Sequence, residues 1–191
     1  MAELDWRTAA QKLLSEYGKV RPYSTRDFGR DRHAGAVSVV IEGGGPQVAE
    51  FARDVLTEVR AALPKGCVAW LGTTRWLGDE QHPDKVELAI AEGSSQFDIL
   101  RHAASDAINY GLETEDLVKQ LTAYDEQHGI DIFHAETDTI EFDVTGEVDD
   151  WAAFAKDLYK FCPDIVDQGV GSVDALEATL AETGSVYLWW D

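Results

Sequence analysis

Apolar residues recur along this chain with two periods. Leu4, Ala9, Ala10, Leu13, Leu14 and Tyr17 stand at helical spacing and predict a helix over 4–17, which Gly18 can end. Val48, Phe51, Val55, Val59 and Leu63 share one face of a helix over 47–63, stopped by Pro64-Lys65-Gly66. Phe97, Ile99 and Leu100 suggest a helix over 95–104. Leu117, Leu121 and Tyr124 give another over about 114–128, with Thr114 as N-cap. Trp151, Phe154, Leu158 and Phe161 predict a helix that Pro163 stops, and the preceding Asp149-Asp150 suit its macrodipole. Ser172 caps a last helix through Val173, Leu176 and Leu180, which Gly184 closes.

The second period is two. Ala36 to Glu42 is a β-branched run that ends at Gly43-Gly44-Gly45-Pro46. Cys67 to Leu71 is a short apolar strand. Val86, Leu88 and Ile90 alternate with Lys85, Glu87 and Ala89, as in a half-buried strand. Ile130, Ile132 and His134 share one strand face, and Ile140, Phe142 and Val144 share another. With Glu136-Thr137-Asp138 between them, 130–144 reads as an acidic hairpin. Val186 to Trp190 is a final strand, with Val186, Leu188 and Trp190 on one face and Tyr187 and Trp189 on the other. Residues 19–35 read as a basic loop or arm, and Thr73 to Asp84 as a long polar connection containing Trp76. The element order predicts a single α+β domain over 1–191, with a mixed β-sheet and helices packed mainly on one face. Within it, 36–135 follows a ferredoxin-like β-α-β-β-α-β order.

Composition sharpens this picture. A chain of 191 residues with 45% hydrophobic residues can bury a core of its own. The sequence offers no apolar stretch of membrane-spanning length and no signal-peptide pattern, so a cytoplasmic protein is expected. Cys67 and Cys162 lie far apart without metal-ligand spacing and read as buried reduced thiols. The net charge is −20, and it is uneven. Residues 1–35 carry seven bases against five acids, whereas from residue 106 onward 21 acids face three bases. Such a field repels nucleic acid and anionic membranes and steers a basic partner inward. Solubility, or adaptation to salt, is the plainer explanation of the same charge.

The blocks Gly72-Thr73-Thr74-Arg75-Trp76-Leu77-Gly78, Gln96 to Arg101, Asn109 to Leu117 and Glu136 to Ile140 carry a family resemblance. It is densest in Phe161-Cys162-Pro163-Asp164, Gln168-Gly169-Val170-Gly171-Ser172 and Trp189-Trp190-Asp191. On these residues the stretch 70–191 resembles the family of domains of unknown function numbered 4253. The resemblance implies no substrate, cofactor or catalytic residue. By analogy, small acidic bacterial proteins of this kind resemble cognate inhibitors of secreted toxins.

The individual chemistries are thin. Cys162 sits at a predicted helix C-terminus before Asp164, and both raise a thiol pKa, so no catalytic nucleophile is expected. His128 and His134, with Asp131 or Glu136, have only generic metal-ligand spacing, so no metal and no cofactor are expected. Gly43-Gly44-Gly45-Pro46 lacks the ending of a phosphate loop. The most site-like place is Gly169-Val170-Gly171 with Asp164, Asp167 and Gln168, read otherwise as an inter-helix turn. The expectation is an acidic binding protein, most plausibly an immunity protein covering the active site of a basic toxin, perhaps a nuclease. Its binding residues would be Asp125, Glu126, Asp131, Asp138, Glu141, Asp143, Asp149 and Asp150, with Trp76 or Tyr124 as aromatic anchors. Two alternatives are an enzyme near Asp164, Gln168 and His102, and a structural or homo-oligomeric subunit.

Overall fold

A computed structural model of the chain describes residues 5–23, 25–27, 30–32, 35–42, 47–72 and 85–191. The expected turn at Gly43-Gly44-Gly45-Pro46 and the connection carrying Trp76 lie outside the described residues. The chain divides into two compact units, residues 1–104 with 135–137, and residues 105–134 with 138–191.

The first unit contains α1 (Trp6–Leu14), β1 (Arg21–Pro22), β2 (Thr25–Asp27), β3 (Arg30–Arg32), β4 (Val37–Glu42), α2 (Val48–Ala61), β5 (Cys67–Leu71), β6 (Lys85–Glu92) and α3 (Asp98–Ala103). Its strands β1, β4, β6 and β5 are successive antiparallel neighbours. The pairs Val37–Ile90, Val39–Leu88 and Ile41–Val86 fall directly opposite one another, which is the packing that stabilises a sheet. Helices α1 and α2 pack against β4 and β6. The arm expected at 19–35 holds three short strands, β1 paired with β4 and β2 paired with β3.

The strand at 85–92 was expected to be half-buried, but it is buried on both faces: Glu87 is 1% exposed and Ala89 fully buried. A buried carboxylate needs partners. Oε1 of Glu87 accepts from Arg21 Nη2 at 2.9 Å, Arg21 Nε at 3.2 Å and Ser38 Oγ at 2.6 Å. Trp70 of β5 meets Tyr23 edge-on at 5.3 Å and stacks on His102 of α3 at 5.9 Å.

The second unit contains α4 (Thr114–His128), β7 (Ile130–Ala135), β8 (Thr139–Val144), α5 (Trp151–Phe161), α6 (Val173–Thr183) and β9 (Ser185–Trp189). The acidic hairpin forms as expected, with β8 between β7 and β9. Ile140 faces Leu188 and Phe142 faces Val186 in an antiparallel register. Val186, Leu188 and Trp190 are buried and Tyr187 is exposed, so the predicted alternation holds. Asp150 caps α5 by accepting from the Ala153 N–H at 2.9 Å, and Ser172 caps α6 by accepting from Ala175 N–H at 3.1 Å. The N-cap of α4 is Glu113 rather than Thr114, and its N–H donates to Asp116 Oδ2 at 3.0 Å. Between α5 and α6 the expected turn is a π-helical segment, Ile165–Val170, broken at Gly169 and closed by Gly171 at φ +84°. The helices and strands of both units make the protein α+β.

Candidate functional site

Two places in the second unit gather the residues singled out by sequence. The first contains Phe161, Cys162, Pro163, Asp164, Gln168, Trp189, Trp190 and Asp191. Asp164 is 4% exposed, and both its oxygens are engaged. Oδ1 accepts from Gln168 Nε2 at 2.9 Å, and Oδ2 accepts from the Asp191 N–H at 3.0 Å. Burial pushes this carboxyl up, but hydrogen bonds from Gln168, Asp191 and the Tyr110 hydroxyl outweigh it and hold it below the usual range. The same bond to Asp164, followed by burial, pushes the Tyr110 hydroxyl up to about 12.

Cys162 is fully buried and unbridged, and its Sγ donates to the Trp189 carbonyl at 3.0 Å. Burial pushes its thiol up to about 12, so it is protonated at neutral pH. Trp190 Nε1 donates to the Phe161 carbonyl at 3.3 Å, and the two rings meet edge-on at 5.4 Å. These groups hold one another and dock the end of β9 onto the α5 turn. The helical run from Asp164 brings Gln168, four residues on, back to its carboxylate, and Gly169 and Gly171 then turn the chain toward α6.

The acids named as a binding surface divide into two kinds. Several have internal duties. Asp125 Oδ1 accepts from the Ile130 N–H at 2.9 Å, closing the end of α4. Asp138 accepts from Thr139 Oγ1 at 3.0 Å. Glu141 and Asp143, named as binding residues, have partners within the fold. Both are half-buried: Glu141 lies 2.6 Å from Nδ1 of the buried His134, and Asp143 accepts from Ser185 Oγ. Asp131 is half-buried in β7, whereas Glu126 is exposed on α4. Asp149 and Asp150 are exposed and belong to the second place.

That place is a cavity of about 420 Å³ framed by the end of α4, the segment 147–150 and the start of α5. Glu147, Asp149, Asp150 and Asp157 line it, and Tyr124, His128 and Phe154 supply its rings. His128 lies 4.6 Å from Phe154, and Tyr124 meets Phe154 edge-on at 5.4 Å. Tyr124 was expected as a surface anchor; it is 2% exposed and forms part of the wall instead. Its hydroxyl is buried, with Gln120 and Asp157 as its hydrogen-bonding neighbours. Burial, and then the nearby Asp157 carboxylate, raise its pKa. Gly146 fixes the frame, because a Cβ there would overlap the His128 carbonyl oxygen. Thr145 N–H donates to the Gly129 carbonyl at 3.0 Å, fastening the same segment to the end of α4.

Sequence reading missed this cavity. Asp149-Asp150 was read as a helix start and as part of a binding surface, and Tyr124 as an aromatic anchor, but nothing in spacing joins them to Glu147 and Asp157. His128 and His134 do not meet in a metal centre. Among the described residues no group of three or more His, Cys, Asp or Glu is placed to hold a metal ion. Among the same residues no helix is long and apolar enough to cross a membrane. His102 belongs to the first unit, where its Nε2 lies 2.8 Å from the Glu92 carbonyl.

Compared with known proteins, residues 87–191 match the family model described as Domain of unknown function (DUF4253). No curated protein and no solved structure matches the chain.

Proposed function

We propose, from the premise that this chain belongs to the DUF4253 family, that it is a non-enzymatic binding protein that receives a basic protein partner on its second unit. The specific form of this reading is a bacterial cytoplasmic immunity protein, whose partner is a toxin with a basic active site such as a nuclease. One observation carries it. Glu147, Asp149, Asp150 and Asp157 converge on one concave place, and no described base forms an ion pair with any of them. Clustered carboxylates repel one another, and a cationic partner relieves that repulsion while its approach is accelerated.

The rival reading, an enzyme centred on Asp164, Gln168 and the Gly169–Gly171 turn, draws on the π-helical segment, since such segments concentrate at functional sites. Against it stands the use already made of these groups. Asp164 spends both oxygens on the fold, and Cys162 is buried and protonated.

The test is affinity capture from the source cell, including its secreted effectors, followed by association kinetics across a salt series. A basic partner should be recovered. Its on-rate should fall markedly as the Debye length shrinks from roughly 30 to 8 Å. Asp149→Lys with Asp157→Lys should slow association more than it speeds dissociation. Recovery of no basic partner, or binding indifferent to salt and to both reversals, would leave the acidity as solvation.

A further inference from the structure

We propose that a cavity in the first unit, beside α1 and β1, binds a small carboxylate that carries a short apolar body. This goes beyond the binding-protein reading above and does not depend on it. The cavity has a volume of about 410 Å³, within the range of ligand pockets. Its lining is of two kinds. Arg7, Gln11 and Ser15 follow one another at steps of four residues and form one exposed stripe along α1 and its C-cap. Ala10 and Leu14, on another side of the same helix, are fully buried, so the stripe is not needed for the core. Val20, Pro22 and Val37 supply apolar surface, and Pro22 stands opposite Val37 in the β1–β4 register.

The charged groups select the sign of the ligand. Arg21 also lines the cavity, but its Nε and Nη2 donate to the buried Glu87, which balances its charge. Arg7 differs. Its Nη2 donates to the Gly35 carbonyl at 2.9 Å, and its guanidinium carbon lies 5.2 Å from the centre of the Trp6 ring. Among the described residues no carboxylate forms an ion pair with it. A guanidinium held at one corner by a neutral carbonyl and backed by a ring keeps its other N–H groups in a fixed fork, and such a fork matches a carboxylate. One unbalanced positive charge suits a monoanion. The net charge of −20 repels anions at long range, so only a local fork of this kind retains one. Gln11, one turn from Arg7, adds an amide that can donate to the same anion. Ser15 gives its hydroxyl proton to the Lys12 carbonyl at 2.6 Å and takes no part in holding the charge. Val20, Pro22 and Val37 are left for the apolar body.

The experiment titrates isovalerate into the full ¹⁵N-labelled chain in low-chloride buffer. Isovaleramide, inorganic phosphate and N-acetyl-valine are parallel arms. Saturable shifts confined to the amides of Arg7, Gln11, Ser15, Val20, Arg21 and Val37 are expected from the acid. The uncharged amide should bind at least about tenfold more weakly, because it loses the charge-assisted bonds. Arg7→Gln should weaken binding about tenfold, and Arg7→Lys should restore only part of it, because an ammonium offers no fork. Gln11→Glu, which sets a carboxylate against the ligand, should abolish saturation. All three substitutions are at exposed positions, so their melting curves should match that of the parent chain. The site is overturned by non-saturating or dispersed shifts, by equal affinity for isovalerate and its amide, or by full affinity in Arg7→Gln or Gln11→Glu. Phosphate binding as tightly as isovalerate would overturn the apolar half of the proposal. Isovalerate and N-acetyl-valine separate the two sources of such a group: the tighter of them assigns the site to a free acid or to the C-terminus of a polypeptide.

Discussion

Replacing Asp164 by asparagine tests the idea that the signature residues serve the fold. The variant keeps the shape of the side chain and removes its charge. Three donors lose an ionised acceptor: Gln168 Nε2, the Asp191 N–H and the Tyr110 hydroxyl. Hydrogen bonds to charged groups contribute about 1.5–3 kcal/mol each. The three do not add in full, because Gln168, Asp191 and Tyr110 are all exposed and can turn to water. What water cannot repair is the asparagine NH₂ set against a donor inside a site that is 4% exposed. The net loss should be about 2–4 kcal/mol. For a chain of this size that lowers the melting temperature by roughly 4–16 °C. The effect carries a pH signature. The folded carboxyl titrates below its unfolded value of about 3.9, so its stabilisation is complete above that pH and is lost as pH falls through the folded value. The gap between wild type and variant should therefore be widest near pH 7 and close below about pH 4. Tryptophan fluorescence melts from pH 7 to pH 2 read this directly, since Trp189 and Trp190 sit beside the substitution. Equal melting at pH 7, or a gap that stays constant down to pH 2, would refute the reasoning.

Three further outcomes follow from the same geometry. Trp190→Ala empties a site that is 3% exposed and should cost about 3–5 kcal/mol, as should deletion of 187–191; a melting curve like that of the full chain would contradict the docked terminus. Native thiol labelling at pH 8 should reach the half-buried Cys67 slowly and Cys162 only on unfolding, whereas fast stoichiometric modification of Cys162 would restore it as a nucleophile. Gly146→Ala drives a methyl group into the His128 carbonyl and should destabilise by more than about 2 kcal/mol, shifting the amides of 145–150; an unperturbed spectrum would mean the segment is not fixed as described.

What could be read from sequence was whatever repeats. The helices over 151–161 and 173–183 and the strands over 139–144 and 185–189 have enough turns or alternations to declare their buried faces. Ser172 and Gly184 declare their ends through cap chemistry that acts within a few residues. The strands at 21–32 are two or three residues long, too short for any period to register. The π-helical turn arises from how 165–170 pack between two helices, which no local propensity encodes. Ala104 stands at φ +54°, a position where glycine is the usual choice, so the end of α3 carried no signal. The partners of Glu141 and Asp143 were hidden for a related reason. A charge count sees 21 acids after residue 105 but not that His134 and Ser185 lie across the strands from two of them. The cavity at α5 depends on residues far apart in sequence converging, and only the fold brings them together.

The pairing of β8 with β9 has a consequence for biosynthesis. Residues 145–184 lie between the two strands, so β8 is made long before its neighbour exists. Until Ser185–Trp189 emerges from the ribosome, Thr139–Val144 presents an open edge with Ile140 and Phe142 on it. Such edges recruit strands from other nascent chains, and charged residues interrupting them suppress that recruitment. Glu141 and Asp143 alternate with those apolar residues and keep the waiting edge soluble. Their charge guards the chain while it is still being synthesised; Glu141 already has His134 of β7 beside it, and Asp143 gains Ser185 once β9 arrives.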